Sequence, residues 1–109
     1  MAHGTSQWRI AGDISGKSFV VKCQFEEKGQ HLGGNCVDLV TGASGPDKVG
    51  KSHQLIDGSL RGNDMTWSYG VKVMLMPVEI RFTGQINGAR MMGTISAKGR
   101  QGTFSATRL

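Results

Sequence analysis

The chain has 109 residues, which is the size of one domain with a single hydrophobic core. It carries 13 Lys and Arg against 8 Asp and Glu, a net charge of +5 that favours acidic partners without specifying one. No apolar run reaches the roughly 18 residues that a membrane-spanning helix needs, and no signal peptide is visible. These observations predict one domain over 1–109, without a membrane span, in the cytoplasm.

Short segments of alternating apolar and polar residues run along the whole chain. In the clearest segment, 65–73, the side chains of Met65, Trp67, Tyr69 and Val71 would share one face. The same alternation occupies 7–14, 17–27, 31–40, 52–61, 78–86, 90–97 and 101–108. Most of the connections fit two-residue hairpin turns. The pattern predicts an all-β fold, an eight-stranded antiparallel up-and-down meander barrel, because closure removes the exposed strand edges.

A Gly-x-aliphatic-x-Gly pattern occurs three times, at 12–16, 58–62 and 84–88. Counting across two-residue turns places Phe19 opposite Gly12, so the first glycine of the pattern would make room for a ring inside the barrel. The same counting places Phe82 opposite Gly93, and it turns Gln54 and Ile56 inward. The side chains predicted to contact a ligand from this inner face are Phe19, Gln54, Trp67, Tyr69, Phe82, Met91 and Phe104.

Asp38 is a carboxylate on the predicted inner face, where few other polar groups occur. Such a group costs free energy unless it is paired, hydrogen-bonded or protonated. Asp38 is therefore the candidate catalytic acid or base, helped by Tyr69, if the protein is an enzyme. The alternative is a bulge after Cys36 that turns Asp38 outward and brings Val37 and Leu39 inward, since the sequence alternates either way.

Two connections differ from the short polar turns and lie at the same predicted barrel end. Segment 41–51 is the one long loop, and its Gly and Pro content is typical of a lid. The tip at 74–77 reads MLMP, which is apolar where turns are usually polar. Met74 and Met76 are therefore predicted lid residues that contact a ligand, the lid or another subunit, and the alternative is a tip tucked into its own barrel end.

The two cysteines, Cys23 and Cys36, are predicted on adjacent strands with both side chains inside. With a turn at 29–30 they lie directly opposite and form a possible disulfide, whereas with a turn at 28–29 they are offset and stay free. Because no export signal is visible, reduced thiols are favoured.

Other chemistries find little support in the sequence. His3, His31 and His53 are far apart and are interpreted as exposed surface residues, so no metal site is predicted. No nucleotide or cofactor motif is present in a strand-to-helix context, and no cofactor is expected. Nucleic acid is not expected as a partner, because the aromatic residues lie on the inner face rather than beside exposed Lys and Arg.

The order of the segments resembles the meander of avidin and streptavidin, and more loosely that of the lipocalins. The segments that carry the resemblance include WRIAGDISGKSFVVKC at 8–23, HQLIDGSLRG at 53–62, DMTWSYGVK at 64–72 and the closing GTFSATRL at 102–109. The resemblance implies a calycin-type barrel that holds a small apolar or aromatic molecule in its lumen, and a tendency to form homo-oligomers. Similar barrels also serve as isomerases, cyclases or lyases, which is the alternative function.

Overall fold

The structure is a computed structural model that describes residues 3–40 and 48–109. Its strands are β1 (His3–Ile14), β2 (Lys17–Lys28), β3 (His31–Val40), β4 (Lys48–Arg61), β5 (Asp64–Val73), β6 (Met76–Asn87), β7 (Arg90–Ala97) and β8 (Arg100–Arg108). Each strand pairs antiparallel with the next, and β8 pairs with β1 to close the barrel. The predicted eight-stranded up-and-down barrel is confirmed.

In the hairpins that have two-residue turns and no register shift, the strand register follows from the turn. In the β1–β2 hairpin Gly12 pairs with Phe19, and a Cβ on Gly12 would lie 2.6 Å from the Phe19 ring, so this glycine does make room for the ring. The turn between β6 and β7 is formed by residues 88–89. Phe82 therefore pairs with Ile95. The prediction that Phe82 faces Gly93 is wrong, because the turn lies one residue further along the chain than expected.

Aromatic side chains fill the middle of the barrel. The rings of Trp67 and Phe82 stack with centroids 4.9 Å apart. Phe25 and Phe104 meet the Trp67 ring edge-on at 5.0 and 5.5 Å. An eight-stranded barrel is just wide enough for its own side chains to fill. The central part of this barrel is therefore a packed core rather than an open lumen.

Strand β4 departs most from the sequence-based predictions. It begins at Lys48, so residues 48–51 of the predicted 41–51 loop belong to a strand, while 41–47 lie outside the described residues. Its register with β5 shifts between Leu55 and Asp57. This bulge reverses which side chains face inward, because side-chain direction alternates at every residue. The inward placement of Gln54 and Ile56 is wrong: both are exposed, Ile56 by 61%.

A disulfide joins Cys23 on β2 to Cys36 on β3. The two residues pair directly across the strands with Cα atoms 4.0 Å apart, as a turn at 29–30 requires. Both are fully buried on the inner face. The structure thus contains the bonded alternative, where the sequence favoured reduced thiols.

Candidate functional site

One end of the barrel, here called the mouth, is formed by the turns at 15–16, 74–75 and 98–99 together with the end of β3 and the start of β4. Five partly buried apolar side chains pack on the core there. We call them the mouth ring: Ile14, Phe19, Leu55, Val71 and Ile80. Next to this ring lie the buried rings of Tyr69 and Phe82, whose centroids are 5.5 Å apart, and Tyr69 pairs across the strands with Leu55 and Ile80. The mouth therefore combines an apolar rim with two buried aromatic rings, which we call the aromatic floor.

A carboxylate and an imidazole meet at this apolar rim. Nε2 of His53 lies 3.1 Å from both Oδ1 and Oδ2 of Asp38. The His53 side chain is only 10% exposed, whereas that of Asp38 is 44% exposed. Asp38 pairs with the inward-facing Val21, so its side chain keeps the inward orientation on the β2 side, although the register between β3 and β4 shifts between Val37 and Leu39. The interpretation of His53 as a surface residue is wrong, because its pairing with Cys36 turns it inward beside Asp38.

The polar pair contacts the aromatic floor inside the barrel. The imidazole of His53 stacks on the ring of Tyr69, with centroids 5.0 Å apart and planes 13° apart. Burial, and after it the nearby Asp38 charge, raise the pKa of Tyr69 well above its usual range. Tyr69 is therefore a neutral phenol throughout the physiological pH range.

The chemistry of the pair follows from its donors and acceptors. An ionised carboxylate only accepts hydrogen bonds, so Nε2 of His53 must carry the shared hydrogen. In the neutral imidazole, Nδ1 is then the atom with a free lone pair. An imidazole held in one tautomer by a carboxylate is an arrangement used for general acid–base catalysis, and it also suits recognition of a polar group. Asp38, being nearly half exposed, retains capacity to accept a further hydrogen bond.

The other predicted ligand residues divide between the mouth and the rest of the barrel. Phe19 is half-buried in the mouth ring, and the side chains buried inside the barrel are Trp67, Tyr69, Phe82, Met91 and Phe104. Met91 lies towards the opposite end, where it pairs with Ile86. Gln54 faces away from the site. Met74 and Met76 are at the mouth and are 92% and 54% exposed.

No protein-family model and no curated protein sequence matches the chain. The closed antiparallel barrel is compatible with a calycin-type fold. Over residues 3–40 and 48–109, no group of three or more His, Cys, Asp and Glu side chains is placed to hold a metal ion. The same residues include no helix that is long and apolar enough to cross a membrane.

Proposed function

We propose that the protein binds a small, mainly apolar or aromatic molecule at the mouth, with its polar group hydrogen-bonded to the Asp38–His53 pair. The observation that carries this proposal is the nearly buried His53, held by Asp38 beside the apolar mouth ring. Ligand sites typically combine apolar walls with a few placed polar groups, and they are common in the mouths of β-barrels.

The position of the polar pair supports a functional role. A partly buried contact between a carboxylate and an imidazole adds little net stability, because the loss of hydration offsets most of the attraction between the two groups. The barrel already has a packed core and a buried disulfide, Cys23–Cys36, close to the pair. Stability of the fold therefore does not explain the presence of His53 and Asp38 at the mouth, whereas recognition of a ligand does.

The packed interior argues for a ligand at the mouth rather than deep in the barrel. The stacked rings of Trp67 and Phe82 occupy the middle, so a deeper ligand would have to displace them. The mouth ring is only half-buried and leaves apolar surface to cover. The resemblance to avidin, streptavidin and lipocalins supports the same general function, which is binding of a small molecule at one end of the barrel. Oligomer formation is also part of this proposal.

Calorimetric titration with indole and N-methylindole tests the proposed recognition. The two probes differ in one N–H group, which in indole can donate to the Asp38 carboxylate. A hydrogen bond to a charged group contributes about 1.5–3 kcal/mol, so indole should bind about tenfold more tightly or better.

In Asp38→Asn the difference between the two probes should fall to within a few-fold. Asp64→Asn is the matched control, because Asp64 is a carboxylate at the opposite barrel end that binds Gln85. Equal affinity of the wild-type protein for both probes would contradict recognition by Asp38.

A second candidate function is general-base catalysis on the bound molecule, as an isomerase, cyclase or lyase would use. The specific observation in its favour is the imidazole fixed by Asp38, which leaves Nδ1 of His53 as the base. Nitrobenzisoxazole is a suitable aromatic probe: a base removes its ring C–H proton, the N–O bond breaks and a cyanophenolate forms. The wild-type protein should accelerate this ring opening, His53→Gln should abolish the acceleration, and exposed His31→Gln should not. If the wild-type protein does not accelerate this reaction, general-base catalysis is contradicted and ligand binding is the remaining proposal.

A further inference from the structure

The turn between β5 and β6 carries the most exposed apolar side chains at the mouth. Met74 and Leu75 are 92% and 91% exposed, and Val73 and Met76 on either side are more than half exposed. We call residues 73–76 the apolar tip. Two consecutive large apolar residues in full contact with water are unusual on a protein surface, and such patches typically mark an interaction site.

The backbone of the apolar tip makes this composition more unusual. Met74 and Leu75 have φ values of 51° and 70°, as a two-residue hairpin turn requires. This conformation strongly favours Asn-Gly, Asp-Gly or Gly-Gly. The two other tight turns at the mouth, at 15–16 and 98–99, have glycine as their second residue. Neither backbone preference nor burial within the barrel explains a Met and a Leu at the tip.

The barrel end that carries the apolar tip also carries many exposed positive charges. The exposed basic side chains at the mouth are Lys17, Lys48, Lys51, Lys72, Lys98 and Arg100. The carboxylates among the described mouth residues are already engaged. Asp13 accepts hydrogen bonds from the Gly16 amide and the Ser18 hydroxyl, Glu79 pairs with Arg81, and Asp38 pairs with His53. The mouth therefore presents an apolar projection within a basic surround.

We propose that the mouth end docks on an anionic lipid surface, with the apolar tip inserted between headgroups and the surrounding lysines contacting phosphate groups. A bilayer interface accepts a projecting apolar side chain without a shaped pocket, and its negative surface potential attracts clustered Lys and Arg. Nucleic acid fits less well, because the tip has no aromatic side chain on which a base could stack. This inference does not depend on a ligand at the mouth ring.

Sedimentation with lipid vesicles tests the proposal. Wild-type protein should sediment with vesicles that mix phosphatidylserine with phosphatidylcholine, and much less with phosphatidylcholine alone. The test variant is Met74→Asn with Leu75→Gly, which removes both apolar side chains. Because Asn-Gly suits this turn, the variant should fold at least as stably as the wild type. It should bind the mixed vesicles at least tenfold more weakly.

Matched controls separate the tip from general hydrophobicity and general charge. Met92→Ser removes another methionine that is 70% exposed, on the side of the barrel, and should leave vesicle binding unchanged. Lys72→Ser should weaken binding and reduce its salt dependence, whereas Lys28→Ser at the opposite end should not.

Three results would overturn the proposal. The first is wild-type protein that stays in solution with the anionic vesicles. The second is a tip variant that binds these vesicles as well as the wild type does. The third is a wild-type dimer, seen by sedimentation velocity, that the tip variant abolishes while vesicles are not bound. This last outcome would assign the tip to contact with a second copy of the chain.

Discussion

The Cys23–Cys36 disulfide offers a quantitative prediction about stability. The bond joins residues 13 positions apart, and the chain-entropy model gives about 3 kcal/mol for closing a loop of this length in the unfolded chain. Breaking the bond should therefore lower the urea midpoint by about 1 to 3 M. For a domain of this size the same loss corresponds to about 12 to 15 °C in Tm.

The assay is urea unfolding of the wild-type protein with and without a thiol reductant. Both sulfurs are buried, so each sample must be equilibrated long enough for the bond to be reduced in the unfolded state. A variant with both cysteines replaced by alanine is the control, and reductant should not change its curve. In a separate sample, the wild-type protein is denatured without reductant and then alkylated. Its mass should not increase, because no free thiol is available.

Two results would refute this reasoning about the disulfide. Two alkyl adducts on the unreduced protein would mean that the thiols are free. Coincident urea curves would mean that the bond does not constrain the unfolded chain as the model requires. A persistent bond would in turn argue for an oxidising compartment, against the cytoplasmic location predicted from the sequence.

Three further predictions concern single positions. Gly93→Ala should lower the free energy of unfolding by about 3 kcal/mol, because the added Cβ would clash with the Thr83 carbonyl oxygen. In the control variant Gly4→Ala the added Cβ has no atom within 4 Å, so the stability should change little, and equal urea midpoints for the two variants would contradict this prediction. Tyr69 is the one tyrosine, so alkaline absorbance should show no phenolate near its usual pKa of 10.0 until the protein unfolds. Since the folded pKa is raised, stability is intact below pH 10 and should fall above it by about 1.4 kcal/mol per pH unit; ordinary titration of the folded protein would refute this. In Asp38→Asn, the His53 side chain loses the carboxylate that holds its Nε2, so indole should bind about tenfold more weakly than to the wild-type protein; unchanged indole affinity in calorimetry would remove Asp38 from the site.

Much of the barrel could be predicted from the sequence because it depends on residues that are close together along the chain. The alternation in β5 fixes which residues face inward, and it placed Trp67 and Tyr69 correctly. Counting from a turn at 29–30, one of the two turns that the sequence allowed, gives the observed pairing of Cys23 with Cys36. Such features depend on side-chain period and turn length, both of which can be counted along the chain.

The candidate site was harder to predict because it depends on β4, which follows the 41–47 segment. A two-residue turn fixes a register, but a long connection does not, so the pairing of Cys36 with His53 could not be counted. The bulge between Leu55 and Asp57 then reverses the alternation within the strand. For this reason the sequence indicated that His53 is a surface residue. Asp38 was predicted as a site residue, but its contact with His53 was not.

The most direct test of the central proposal is to map the indole contact surface by NMR. On titration, chemical shifts should change for the His53 ring and for the methyl groups of Leu55, Val71 and Ile80. The methyl groups of Leu60 and Ile86, which pack against the core from β4 and β6 near the opposite end, should stay unchanged. Saturable changes confined to the mouth are the predicted result. Changes centred on Leu60 and Ile86, or none at any residue, would contradict a ligand site at the mouth.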